Sequence, residues 1–173
     1  MPITRLNHAV LYVRDVQAAR DFYEGILDFT TLIFVSGQAA FFRAPGSTND
    51  HDLGTFQIGP QAGSSTAGTA TVGLYHLAWE VDTLAELGRL RTDLASCGAL
   101  VGESDHITTK SLYAVDPDGN EFEVCWLVPA ELVTPELVAT AQRVRTRELD
   151  LEAATELYGA ETRGGVGVSH TGT

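Results

Sequence analysis

The stretch from His106 to Glu123, H-I-T-T-K-S-L-Y-A-V-D-P-D-G-N-E-F-E, concentrates the residue types that can do chemistry. It holds a histidine, a tyrosine, a turn and a carboxylate. Asp116-Pro117-Asp118-Gly119 reads as a tight turn, because Pro117 fixes its own φ and Gly119 tolerates φ > 0. Leu112, Tyr113 and Val115 suit a strand before it, and Phe122, Val124 and Trp126 one after it. Glu123 alternates with those three residues, so it points to the opposite face. A carboxylate on so apolar a strand must meet water, a cation or a metal, since burying it unpaired is costly. His8 and His76 lie 68 residues apart, at matching places in two similar halves of the chain. Two histidines and a carboxylate with open coordination positions form the facial triad of non-haem Fe(II) oxygenases. His8, His76 and Glu123 are therefore candidate metal ligands.

The order His106, Leu112, Tyr113, Asp116, Pro117, Gly119, Glu123 resembles the fingerprint of the extradiol ring-cleavage dioxygenases. These belong to the vicinal-oxygen-chelate superfamily, with glyoxalase I and the bleomycin and fosfomycin resistance proteins. Asp-Pro-x-Gly followed by Glu marks the whole group, while His106 and Tyr113 favour the dioxygenase branch. Ser104 departs from the residue usual two places before the histidine. The resemblance implies Fe(II) as cofactor, or Mn(II) or another divalent metal, held by His8, His76 and Glu123. It implies that His51, which opens a strand as His-Asp-Leu, acts as the acid–base group, work suited to an imidazole. Taken alone, His51 also reads as a loop histidine beside Asp50 and Asp52. His106 is implied to hydrogen-bond bound oxygen or substrate, and Tyr113 to donate its hydroxyl to a substrate oxygen.

Glyoxalase I-like members usually carry a further carboxylate on the fourth strand. The stretch Leu53 to Gly59 contains no Asp or Glu. Thr55, 68 residues before Glu123, reads as the repeat equivalent of that ligand, and Gln57 is a poor second candidate. The implied activity is Fe(II)-dependent extradiol cleavage of a catechol-like diol with O2. The alternatives are a glyoxalase-like lyase or isomerase, and a non-enzymatic drug-binding protein of the bleomycin-resistance kind.

The positioning elements read as follows. Leu6 to Val13 suits a buried strand, and Asp15 caps a helix carrying Val16, Ala19, Phe22, Tyr23, Ile26 and Leu27. Phe29–Val35 and Ala39–Ala44 suit strands around a Ser36-Gly37 hairpin turn. His51–Gly59 suits a fourth strand, and residues 60–70 read as a flexible linker. The pattern returns with Leu74–Val81, a helix over Asp82–Cys97 stopped by Gly98, and strands near Leu100–Glu103, Thr109–Val115 and Glu121–Val128. This predicts an α+β fold of paired βαβββ modules, residues 1–59 and 71–130. In the superfamily it resembles, such modules pair into a curved mixed sheet around a metal site. Residues 131–173 form a helical extension, with Thr134-Pro135 starting one helix over 135–147 and Asp150 a second reaching Tyr158. Its end, which carries His170, shows no periodicity.

Among the other residues, Trp79 and Trp126 read as core or pocket wall and Glu121 as rim. Tyr12 and Glu80 read as cavity-lining and Lys110 as a solvated lysine. The net charge of −12 argues against a nucleic-acid or anionic-membrane surface. Cys97 and Cys125 show neither metal spacing nor a disulfide framework, which suits a reducing cytosol, and no signal peptide or spanning segment is seen. A small aromatic substrate and O2 are the expected ligands. Apolar tail residues such as Leu137, Leu149 and Leu157 call for a covering surface on the same chain or another, and the superfamily resemblance implies a homodimer.

Overall fold

The computed structural model describes residues 2–3, 5–65 and 70–165. Part of the expected linker and the stretch carrying His170 lie outside them. The chain divides into two compact units, Met1–Thr66 with Asp116–Asn120, and Ala67–Val115 with Glu121–Thr173.

The first unit contains β1 (Ala9–Val13), α1 (Val16–Gly25), β2 (Thr30–Val35), β3 (Ala39–Arg43) and β4 (Leu53–Gln57). Its sheet runs β1-β4-β3-β2, with β1 and β4 parallel and the other pairs antiparallel. The second unit repeats the pattern with β5 (Leu77–Glu80), α2 (Leu84–Ser96), β6 (Leu100–Asp105), β7 (Thr109–Val115) and β8 (Glu121–Leu127). Its order is β5-β8-β7-β6, with β5 and β8 parallel. After a 3₁₀ turn at Ala130–Leu132 come α3 (Pro135–Arg143) and α4 (Leu151–Tyr158). The expected α+β fold of repeated βαβββ modules with C-terminal helices is what forms.

Local chemistry sets the boundaries. Asp15 caps α1 by accepting from the backbone N–H groups of Gln17 and Ala18. Val16, Ala19 and Tyr23 bury one face of α1, with Tyr23 set 5.6 Å from Phe42 and 5.9 Å from Phe29. The second helix begins at Leu84 with Thr83 as its cap, rather than at Asp82. The reason is a Thr-x-x-Glu arrangement in which the Thr83 hydroxyl accepts from the Glu86 N–H. Leu84, Leu87, Leu90 and Leu94 form the buried stripe of α2, and Gly98 ends the turn at φ +75°. Thr134 and Asp150 cap α3 and α4 as the sequence indicates.

Two expectations change. The first strand is not buried throughout: Leu6 is 77% exposed and Tyr12 is 70% exposed. One face of the sheet packs under α1 and the other is open, so alternate residues of β1 emerge. The helix expected over 135–147 ends at Arg143, because Val144 turns extended and Arg147 then pairs with Asp105. No helix among the described residues is long and apolar enough to cross a membrane.

The Asp116–Asn120 turn is built on one carboxylate. Asp116 accepts from the N–H groups of Asp118 and Asn120, both at 2.9 Å, and from the Tyr23 hydroxyl at 3.2 Å. Asp118 in turn binds the Arg14 backbone N–H at 3.0 Å and its guanidinium at 2.8 Å. Burial, and next the Asp116 charge, hold the Tyr23 phenol well above its ordinary 10.0. Its stabilising contribution is therefore complete below pH 10 and is lost as pH rises from there toward the folded value, because the unfolded chain ionises first. Chemical denaturation between about pH 9 and 11 should show stability falling with pH, and Tyr23→Phe should flatten that slope.

Candidate functional site

On the second unit's sheet, Phe122, Val124 and Trp126 of β8 turn toward the core, and Glu123 turns to the other face, as the alternation requires. Beside it in the ladder stand Tyr113 of β7 and Ala78 of β5. His76 precedes β5 directly, and its Nε2 lies 3.1 Å from Glu123 Oε2. The Tyr113 ring lies 5.8 Å from the His76 ring, and its hydroxyl is 2.9 Å from His106 Nε2. Four of the six expected site residues are thus gathered in one unit: His76, Glu123, Tyr113 and His106. Burial, then the Glu123 charge, raise the Tyr113 pKa, so the phenol keeps its proton at neutral pH.

The pair His76–Glu123 fits two ligands of one divalent cation. Ligand atoms about 2.0–2.2 Å from an ion at a right angle stand roughly 3 Å apart. His76 Nδ1 is buried with no hydrogen-bond partner among the described residues, whereas most buried side-chain polar atoms have one. Among those residues no group of three or more His, Cys, Asp or Glu side chains is placed to hold a metal.

The other two expected residues, His8 and His51, are in the first unit. Their rings stack at 4.4 Å, and the edge of Phe41 meets His51 at 5.3 Å. His8 immediately precedes β1, as His76 precedes β5. Asn7 Oδ1 sits 2.8 Å from His8 Nδ1, which places the hydrogen on Nδ1 and leaves Nε2 as the donor atom for a metal. Asp50 Oδ2 sits 3.2 Å from His51 Nδ1. Asp52 turns inward and holds the loop by accepting from Ala44 N, Ser47 Oγ and Asn49 Nδ2. Tyr12 lines a hollow of about 270 Å³ in this unit with Arg14, Ile58 and Asp118, to which neither His8 nor His51 contributes.

Sequence reasoning missed Asn7 and Tyr75 as orienting neighbours and set Asp50 beside His51 only as part of a loop. Each directly precedes a histidine, which is the signal that could have found them. The Tyr75 ring lies 4.6 Å from the His76 ring. Its hydroxyl bonds to Glu121, the foremost cause of its raised pKa, so Glu121 belongs to the same face as Glu123.

Three readings are corrected. Lys110 is not solvated: it is 2% exposed, and its ammonium donates to Asp105 Oδ1 at 2.6 Å and to the Ile107 carbonyl at 2.8 Å. It shares the parity of Leu112 and Ala114, so it faces away from Glu123. Burial lowers its pKa, opposed by the Asp105 hydrogen bond. Thr55 is not the structural counterpart of Glu123. It is fully buried on the helix side, with a 3.4 Å bond to the Ala40 carbonyl. In the ladders Glu123 stands between Ala78 and Tyr113, and Gly54 stands between Val10 and Phe41. The counterpart is therefore Gly54, which has no side chain. Gln57 accepts from the Val16 N–H at 3.0 Å and is committed to the start of α1.

Residues 5–124 match the family described as the Glyoxalase/Bleomycin resistance protein/Dioxygenase superfamily, and the chain belongs to it. The catechol-2,3-dioxygenase of Bacillus subtilis is 31% identical over 121 residues, which cover 70% of this chain and 41% of that protein. The chain thus corresponds to less than half of this relative's length. A glyoxalase/dioxygenase structure from Nostoc punctiforme is 26% identical, with a TM-score of 0.57 over 70% of this chain and 89% of its own. A fosfomycin resistance protein from Listeria monocytogenes, complexed with Mn(II), shares the fold at 19% identity and a TM-score of 0.52, over 71% of this chain and 92% of its own.

The Lys110 correction carries a stability prediction. Breaking a buried pair by removing one partner costs roughly 3–5 kcal/mol, and Arg147, which also pairs with Asp105, should keep Lys110→Ala near the lower end. Urea denaturation measures it. A surface lysine would change stability by only about 0.5 kcal/mol.

Proposed function

We propose that the chain is an Fe(II)-dependent extradiol-type dioxygenase that opens a catechol-like ring beside its diol. The observation that supports this reading best is the gathering of His76, Glu123, Tyr113 and His106 on one sheet face. Similarity to the Bacillus subtilis catechol-2,3-dioxygenase points the same way. His76 and Glu123 are two of the ligands. His8 is the third by its place in the repeat, and its Asn7-bound ring is suitably polarised. Iron held by these groups would supply the Lewis acidity that favours a diolate and a path by which the diolate's own electrons reach O2.

The remaining work is done by the chain's own groups. With a carboxylate at Nδ1, the His51 ring keeps its proton there and offers Nε2 to a diol proton. Its ring is held by contact with His8 and Phe41, which limits its rotation. Tyr113, backed by His106 at 2.9 Å, binds the polar side of the ligand. A glyoxalase-type site with a second carboxylate fits less well, because Gly54 occupies the place such a ligand would take.

Protein purified without oxygen should contain stoichiometric iron by elemental analysis and should consume O2 with a catechol, giving a yellow ring-opened product. Glu123→Ala should lose both metal and turnover. His51→Ala should keep the metal and lose turnover by roughly 10²–10⁴-fold, the range typical of a general acid–base group. Isomerisation of a glutathione hemithioacetal without catechol turnover would replace this reading with the glyoxalase one.

The assembly we propose is a homodimer. Within the second unit the tail already buries Leu149 and Ala154, yet Leu157 stays 71% exposed. Light scattering on the full chain should give twice the 18.5 kDa mass. A monomer would remove the dimer while leaving the chemistry untouched.

A further inference from the structure

The family match ends at residue 124, yet a segment beyond it reaches the candidate site. The backbone carbonyl of Arg145 lies 3.1 Å from His106 Nδ1. A carbonyl can only accept, so Nδ1 carries the hydrogen. In the neutral ring Nε2 is then a bare lone pair. It lies 2.9 Å from the Tyr113 hydroxyl, which must therefore donate to it. Arg145 is kept in place two residues on. Arg147 exchanges backbone hydrogen bonds with Asp105, both at 2.9 Å, and its guanidinium Nε donates to Asp105 Oδ2 at 2.9 Å.

We propose that the segment Arg145–Arg147 is a positioning element of the site, whose carbonyl fixes the His106 tautomer and thereby turns Tyr113 into a hydrogen-bond acceptor toward ligand. With its hydrogen committed to His106, the Tyr113 oxygen offers lone pairs to whatever binds beside it. Resting on the diol reading above, this makes the substrate group that meets Tyr113 a protonated hydroxyl rather than an ionised oxygen. That is the reverse of the donor role implied by the family resemblance. Arg147 is a positioning residue acting through the Arg145 carbonyl, and it touches no substrate.

The tautomer can be read without any turnover. Free neutral histidine favours hydrogen on Nε2, so the opposite state is diagnostic. Full-length protein labelled with ¹⁵N in its histidine rings, assigned with a His106→Gln variant, should show protonated-type Nδ1 and pyridine-type Nε2 at mildly alkaline pH. Tyr113→Phe removes the phenol but leaves the carbonyl, so the tautomer should persist. Arg147→Ala should shift His106 to a mixture or to the Nε2–H form, with Arg147→Lys restoring part of the native signal. An Nε2–H signal in the unmodified protein would overturn the proposal. So would a tautomer that flips in Tyr113→Phe, or one unchanged in a folded Arg147→Ala. Failure of the catechol assay alone would remove the diol reading and leave the tautomer assignment standing.

Discussion

Asp105 and Lys110 share almost no water, and much of the second unit follows from keeping them paired. Their side chains are 7% and 3% exposed. Such a pair persists only when its geometry is good and further hydrogen bonds satisfy the remaining groups. Both conditions are met. The ammonium also binds the Ile107 carbonyl and stands 5.7 Å from the centre of the Tyr158 ring. The second carboxylate oxygen takes the Arg147 guanidinium. The same Asp105 Oδ1 accepts from the Ile107 N–H at 2.7 Å, holding a β-branched residue at φ +72°. That conformation costs about 1–3 kcal/mol. Burial of the Ile107 side chain, 1% exposed, offsets it. The corner so formed fixes where His106 leaves the β6–β7 hairpin.

The tail completes this arrangement. Trp126, fully buried on β8, donates its indole N–H to the Thr162 carbonyl at 3.1 Å and packs against Tyr158 at 5.4 Å. Gly164 approaches so closely that an added Cβ would sit 3.0 Å from the Leu127 carbonyl and the Trp126 ring. An L side chain there would push the strap off the indole. The helical extension is therefore part of the second unit's core, and its backbone lies where it can bond to His106. Cys125, on the Glu123 face but buried, illustrates how dry this sheet is: burial raises its thiol to about 12, which leaves it an inert thiol.

Local codes were legible and distant partners were not. Asp15, Thr134 and Asp150 as caps, Gly37 and Gly119 as left-handed turn residues, and the alternation that turns Glu123 from its neighbours all act within a few residues. The clustering of His106, Tyr113, His76 and Glu123 came from matching repeat positions and a motif. Lys110 failed because its charge outweighed its parity. It lies in register with Leu112 and Ala114, which places it inward, but the partner that permits this is fixed only by the hairpin. Thr55 failed by one residue. Counting 68 back along the chain ignores how the strands pair, and the ladders put Gly54, not Thr55, opposite the equivalents of Ala78 and Tyr113. Arg145 could not be found from residue type at all, since its contribution is a backbone carbonyl.

The ladders also show where the two repeats differ. Where the second unit has Tyr113 beside Glu123, the first has Phe41 beside Gly54. The first unit's pair has neither hydroxyl nor carboxylate, while a histidine stands ahead of the first strand in both. Packing fits the difference. The Phe41 ring lies over Gly54, where a Cβ would stand 3.3 Å from its edge, and it also supports His51 and Phe56. A side chain at position 54 would need that ring to give by a few tenths of an ångström. On its own sheet the first unit thus carries His8 and His51 beside Phe41. On its own sheet the second unit carries Glu123 beside Tyr113.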